Sequence, residues 1–140
     1  MEQKYNLKEL FVLNSMHDLR VQQVELKKGV FILHYKKICQ NKNIMFDSCD
    51  VIFNEVYDAD VFAEVRKCNG LNVEGKIYYD LDFIEFINKH NYKIETKFFY
   101  YGYKSVIIQA ALVNQDNYYC EDCIINVFST EILYRWRKDS

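Results

Sequence analysis

The segment Cys120-Glu121-Asp122-Cys123 is the part of the sequence whose residue types and spacing come closest to a chemical site. A CxxC pair can supply two of the four ligands of a structural zinc ion, or the dithiol of a redox centre. The chain has no second CxxC and no HxxxH to complete a zinc site. A metal- or thiol-dependent enzyme that uses Cys120 and Cys123 is therefore the alternative hypothesis, and the favoured interpretation is two ordinary thiols.

The residues that follow the CxxC also argue against redox chemistry. A redox CxxC begins a helix, whose N-terminus lowers the pKa of the thiol. Here Ile124 to Phe128 predict a strand, because the run is rich in β-branched and aromatic residues. In a strand, residues three apart face opposite ways. We therefore expect Cys120 and Cys123 to lie on opposite faces of a sheet.

Two acidic motifs could also suggest metal chemistry. His17-Asp18 resembles the HD pair of metal phosphohydrolases, but such a centre needs further ligands in a helical frame, and the chain has three histidines in all. We interpret His17-Asp18 as a turn that enters a strand, with the imidazole bonded to the backbone. Asp80-Leu81-Asp82 resembles a metal-binding DxD, yet it lies where a helix N-cap and a first-turn acid belong.

The general sequence signatures of enzymes are missing. The chain contains no P-loop, GxGxxG, GxSxG or HExxH motif. We therefore predict a protein that is not an enzyme and that uses no cofactor.

Aromatic residues are concentrated in Phe98 to Tyr103 and at Tyr118-Tyr119. Alternation along a strand places rings on both faces, so some rings should reach the surface, where aromatic side chains favour protein contacts. The candidates for partner binding are Tyr101, Tyr103, Tyr118 and Tyr119. The alternative is that tyrosine occupies half-buried sheet positions with no further role.

The best-defined element is a predicted β-hairpin from His17 to Lys37. It turns at Lys27-Lys28-Gly29, where glycine can adopt a positive φ. In its first strand the apolar alternation shifts by one residue at Gln22-Gln23, which predicts a β-bulge. The return strand is apolar on both faces from Val30 to Tyr35, so we expect it to lie within the sheet.

The remaining elements predict an α+β fold. The clearest helix spans about Asp80 to His90, with Asp80 as its N-cap and Asn91 as the left-handed residue that ends it. A short N-terminal helix is predicted at about Leu7 to Leu13. The other segments predict a mainly antiparallel sheet, folded as a sandwich or a partly open barrel, in which residues 129–140 form a strand or a helix.

Length and composition predict a single domain of residues 1–140, since the chain is 50% hydrophobic and has no proline and no low-complexity linker. A net charge of −2 supplies no basic field for nucleic acid. No apolar run is long enough for a membrane span, and the N-terminus lacks a signal-peptide pattern. We expect a cytoplasmic protein whose partner is another protein or further copies of itself.

A family resemblance also indicates a protein that binds a partner. HDLRVQQVELKKGVFILHY, followed by VIFNEV, resembles the hairpin that begins with His-Asp in small bacterial β-rich proteins, some of them similar to immunity proteins of contact-dependent or polymorphic toxin systems. The resemblance implies a non-catalytic, partner-binding protein of immunity type. No catalytic residue is carried over from it.

Overall fold

The computed structural model describes residues 2–6, 16–41, 44–69 and 71–138, and it contains ten strands and one helix within those ranges. The strands are β1 (Glu2–Asn6), β2 (Leu19–Lys27), β3 (Gly29–Asn41), β4 (Ile44–Val56), β5 (Val61–Asn69), β6 (Asn72–Tyr79), β7 (Tyr92–Gly102), β8 (Ser105–Asn114), β9 (Cys120–Phe128) and β10 (Glu131–Arg137). The helix, α1, spans Asp80–Lys89. No helix in the described ranges is long and apolar enough to cross a membrane.

All ten strands belong to one antiparallel sheet in the order β1-β10-β4-β3-β2-β7-β8-β9-β5-β6. The sheet is not closed, because β1 and β6 each have one neighbouring strand. The predicted α+β fold with a mainly antiparallel sheet is confirmed. The helix predicted at about Leu7 to Leu13 lies outside the described residues, and no helix precedes α1 within them.

The sheet must bend sharply, because two short connections join strands that are six positions apart. Ser129 and Thr130 alone link β9 to β10, so Phe128 and Glu131 lie within about 11 Å of one another. In a flat sheet the same strands would be separated by about 29 Å. The shortest register in the sheet, three residue pairs, joins β2 to β7. This pairing divides the strand order into two halves of five strands, which the short connections hold close to each other.

Alternating side chains from both halves enclose one core. The inner face of the sheet carries residues such as Phe31, Leu33 and Tyr35 on β3, all at most 1% exposed, and Ile108 and Ile125 from the other half join the same cluster. The helix α1 adds Phe83 and Ile87 to this core and contacts β2, β5, β6 and β7. The apolar side of α1, which carries Phe83 and Ile87, therefore covers the inner face beside the edge strand β6.

The structure confirms the predicted hairpin. Gly29 has a φ of 80° in the turn between β2 and β3. The register shifts between Val21 and Gln23, where the bulge is predicted. β3 lies between β2 and β4, in the interior of the sheet as expected.

The helix is confirmed, but the capping role of Asp80 is wrong. Tyr79 occupies the N-cap position and makes no side-chain capping bond. The Asp80 carboxylate turns away and accepts a hydrogen bond from the backbone N–H of Ala59 at 2.8 Å, which explains why it does not cap the helix. At the other end Asn91 has the predicted left-handed conformation, with a φ of 53°. The alternatives left open for residues 129–140 are decided in favour of a strand, β10, at Glu131–Arg137.

Candidate functional site

The four tyrosines predicted to bind a partner do not form one surface. Tyr101 is half-buried and packs against the core, whereas Tyr103, Tyr118 and Tyr119 are exposed. Tyr103 precedes β8 and Tyr118 follows it, so the ten residues of that strand separate them by roughly 30 Å. Partner binding by these tyrosines stays a prediction, and it would need two separate contact areas.

The CxxC cysteines lie on opposite faces of β9. Cys120 is exposed, whereas Cys123 is 1% exposed and belongs to the core. Burial raises the pKa of the Cys123 thiol well above its usual value, because the thiolate would have to be desolvated. The expected opposite orientation is confirmed. The two sulfurs therefore do not face a common ligand or form a dithiol pair.

His17 and Asp18 form a turn, as predicted. The Nδ1 atom of His17 lies 2.7 Å from the carbonyl oxygen of Lys97, and the ring lies against Phe98 at a centroid distance of 5.0 Å. Asp18 bonds Lys97 at 2.7 Å, and this contact lowers the pKa of the Asp18 carboxyl. Both side chains are thus engaged in attaching the turn to β7. Within the described ranges no three His, Cys, Asp or Glu side chains are grouped so that they could hold a metal ion.

A charged cluster lies on the outer face of the sheet, the face opposite the core. The two ring nitrogens of His34 lie 2.7 Å from Asp50 Oδ1 and 2.9 Å from Glu25 Oε2. The hydrogen bond with His34 lowers the pKa of Glu25. Asp50 is 4% exposed and also contacts Arg137. Every charged group in the cluster has a partner, so the cluster fits a structural role.

A groove separates α1 from β6, with two adjoining cavities of 440 and 410 Å³. Tyr78 and Phe86 stack at 4.3 Å within it, and His90 lies 4.8 Å from Phe86. Glu121 lies at its base, buried and with Tyr92 as a hydrogen-bond partner. Burial, followed by the nearby Glu121 charge, raises the pKa of Tyr92.

The chemistry of this groove suits a cationic group, because aromatic rings surround a buried carboxylate. Two lysines of the chain already occupy this environment. Lys67 Nζ lies 3.6 Å from Glu121, and Lys76 Nζ lies 5.1 Å above the Tyr78 ring. The groove therefore carries its own cations.

A group of exposed apolar side chains spans five neighbouring strands on the outer face. We call it the outer patch. Its six large side chains are 42% to 53% exposed: Phe98, Tyr100, Ile107, Phe128, Ile77 and Tyr79. Register brings them together, since Tyr100 is opposite Ile107 on β8, and Phe62 of β5 is opposite Tyr79 on β6. The Phe62 ring bridges the patch, at 5.6 Å from Tyr79 and 6.0 Å from Phe128.

From the stretch Phe98 to Tyr103 the outer patch contains Phe98 and Tyr100, whereas the residues predicted from the sequence are Tyr101 and Tyr103. In Phe98 to Tyr103, alternation separates Phe98 and Tyr100 from Phe99 and Tyr101, and both sets are equally aromatic. A register shift between Thr96 and Phe98 decides which set points inward. Phe99 becomes buried, and Phe98 and Tyr100 remain exposed. The apolar residues of β6 and Phe128 at the end of β9 could not be joined to them before the strand order was known.

The chain matches no protein-family model, no curated protein and no solved structure. Its function must therefore be inferred from its own surface and side chains.

Proposed function

We propose that the protein is a non-catalytic protein-binding module and that the outer patch is its binding surface. The observation that carries this proposal is a group of six half-exposed large apolar side chains on four of five adjacent strands, bridged by the Phe62 ring on the fifth strand, β5. Aromatic side chains of this kind are the residues that most often dominate the binding energy of protein interfaces.

The size of the outer patch supports this function. Side chains of this kind offer roughly 200 Å² each when fully accessible, so six that are about half exposed present roughly 550 Å². A patch of this size is at the upper end of what monomeric proteins expose, and large patches of this kind often mark an interaction site. With a polar rim it approaches the roughly 800 Å² per partner of a specific interface. The ion pair of Glu64 and Arg66, at 3.0 Å, lies on the same face and can form part of that rim.

An immunity-type role in the cytoplasm is the form of binding that the resemblance of the first hairpin implies. In such a role the outer patch would cover a toxin. The alternative of a thiol- or metal-dependent enzyme has less support, because Cys120 and Cys123 face opposite ways and Cys123 is buried.

The proposal is tested by capture from the native cell followed by reconstitution with the purified partner. Wild-type protein is compared with a Tyr100→Glu/Ile107→Glu variant of the outer patch. The control is Tyr57→Glu, a residue that is 70% exposed and lies outside the patch. We expect wild type and control to form a stoichiometric complex, and the patch variant to bind at least about ten-fold more weakly, a loss of about 1.4 kcal/mol.

Two results would contradict the proposal. One is the absence of any stoichiometric partner, and the other is equal binding by the patch variant and the control. A parallel Tyr118→Glu variant tests the tyrosine surface predicted from sequence. If Tyr118→Glu alone abolished binding, the working surface would be the loop between β8 and β9 instead of the outer patch.

A further inference from the structure

The edge strand β6 leaves one side of its backbone without a neighbouring strand. Seven of its eight residues are exposed, and only Tyr78 is partly buried. Two common protections of a sheet edge are missing, since the chain has no proline and the register of β5 and β6 runs from end to end without a shift, and the charges that β6 does carry are Glu74 and Lys76. An exposed regular edge of this length is suited to pairing with another strand.

We propose that β6 pairs in antiparallel orientation with β6 of a second copy of the chain, about a two-fold axis at Gly75. The first support comes from the backbone. Asn69 and Asn72 are paired across a two-residue connection, and a hairpin of this length closes on a hydrogen-bonded pair. Alternation then directs the backbone N–H and C=O groups of Val73, Gly75 and Ile77 toward the open edge.

These three residues form a self-complementary set. With Gly75 opposite Gly75 of the second copy, Val73 lies opposite Ile77 and Ile77 opposite Val73. Each of these pairs can exchange hydrogen bonds, because the groups of both partners face the shared edge. The backbone would also allow a slip by two residues in either direction, to pair Val73 with Gly75 or Gly75 with Ile77. Backbone geometry therefore permits an antiparallel pairing in any of these registers, and the side chains must select one of them.

Charge selects the register centred on Gly75. In that register Glu74 of each copy lies opposite Lys76 of the other, which gives two cross-strand pairs of opposite charge. A slip one way places the two Glu74 residues opposite each other, and a slip the other way does the same for the two Lys76 residues. Both slips are unfavourable, because like charges directly opposite destabilise a sheet. Of the three registers, one is attractive.

The charges of β6 are also available, unlike those of the other edge. On β1, Glu2 is already paired with Arg135 at 3.0 Å and Lys4 with Glu131 at 3.1 Å. In the part of the chain that the structure describes, neither Glu74 nor Lys76 forms an ion pair, and Lys76 lies over the Tyr78 ring. Pairing between copies would give each of these charges an ion-pair partner.

The pairing would extend the ten-stranded sheet through the two-fold axis and bring two outer patches side by side. Val73 and Ile77 are 64% and 49% exposed, and they would contact each other across the interface. This inference does not depend on the proposed binding of another protein. It concerns the oligomeric state of the purified chain, which can be measured with no partner present.

The test is sedimentation velocity of the purified full chain over a range of concentrations, with reversed charges. We expect a wild-type dimer, and a dissociation constant raised at least about ten-fold in Glu74→Lys and in Lys76→Glu, because each change creates two like-charge pairs. The double variant Glu74→Lys/Lys76→Glu restores opposite charges in the same register and should return to the wild-type constant. Asp58→Lys and Lys28→Glu make the same changes of charge away from β6 and should leave the dimer intact.

Three outcomes would overturn the proposal. A wild-type chain that remains monomeric at every concentration rules out the pairing. A dimer that both single variants leave unchanged must use another surface. A double variant as dissociated as the single variants excludes the register centred on Gly75. Circular dichroism of each variant checks that the chain is folded, and because these side chains are exposed, we expect every variant to retain the sheet.

Discussion

At the scale of single residues, the two cysteines of the CxxC occupy opposite environments. Cys120 is exposed on the outer face of β9, whereas Cys123 is enclosed by the core and burial raises the pKa of its thiol. Since the thiolate is the reactive form, both accessibility and ionisation protect Cys123.

We therefore expect iodoacetamide to label Cys120 rapidly in the native protein and to leave Cys123 unmodified until the chain is unfolded. Peptide mapping by mass spectrometry after timed labelling measures the two rates separately. Equal labelling of Cys120 and Cys123 in the native state would contradict the buried position of Cys123. It would also revive the hypothesis of a thiol enzyme.

Asp50 is a second residue whose environment makes a clear prediction. Its buried carboxylate bonds His34 at 2.7 Å and contacts Arg137. Replacing Asp50 by Ala removes the acceptor for both groups, and we expect a loss of about 1–3 kcal/mol in the free energy of unfolding. Asp58→Ala, at an exposed position, should change it by less than about 0.5 kcal/mol. Urea unfolding of both variants measures the two changes in the free energy of unfolding. Equal stability of the two variants would show that the cluster around His34 contributes nothing to the stability of the fold.

At the scale of elements, local residue chemistry accounts for what the sequence could predict. The glycine of the first turn, the bulge beside Gln22 and the left-handed Asn91 each depend on neighbours within a few residues, and all are found in the structure. The role of Asp80 could not be predicted from its neighbours in the sequence. Its hydrogen-bond partner, Ala59, lies 21 residues earlier in the chain and is brought to it by the pairing of β5 with β6, in which Phe62 is opposite Tyr79.

We expect the buried and the exposed sides of α1 to contribute differently to the free energy of unfolding. Phe83 is 0% exposed in the core, whereas Leu81, two residues earlier and on the other side of the helix, is 56% exposed. Phe83→Ala should lower the free energy of unfolding by about 3–5 kcal/mol, because it removes a buried ring and leaves a cavity. Leu81→Ala should cost less than about 0.5 kcal/mol. Denaturant titration compares the two, and a small effect of Phe83→Ala would show that α1 does not stabilise the inner face.

At the scale of the whole molecule, the sequence could not reveal which strands are neighbours. Its alternation patterns predict strands and their faces, but many strand orders would bury those faces equally well. The outer patch depends on that order, since Tyr100 on β7 and Tyr79 on β6 belong to one surface only because β8, β9 and β5 lie between them and continue it. The candidate binding surface is therefore a consequence of topology, whereas its individual aromatic residues are visible in the sequence.

Ser129 lies at the point where the two halves of the sheet are joined, between β9 and β10. It is 3% exposed, and its hydroxyl contacts the carbonyl oxygen of Asn54 on β4 while accepting a hydrogen bond from the N–H of Glu131 at 3.2 Å. Replacing Ser129 by Ala leaves these part-buried backbone groups without that partner. We therefore expect the free energy of unfolding to fall by about 1–3 kcal/mol.

The neighbouring hydroxyl provides a matched control for this last prediction. Thr130 contacts Glu55 at an exposed site, where water can replace the lost hydrogen bond, so Thr130→Ala should cost less than about 0.5 kcal/mol. Chemical denaturation of the two variants under the same conditions separates them. If Ser129→Ala were no less stable than Thr130→Ala, the buried hydroxyl would not hold β9 and β10 to β4. The closeness of the two halves would then depend on the shared core alone.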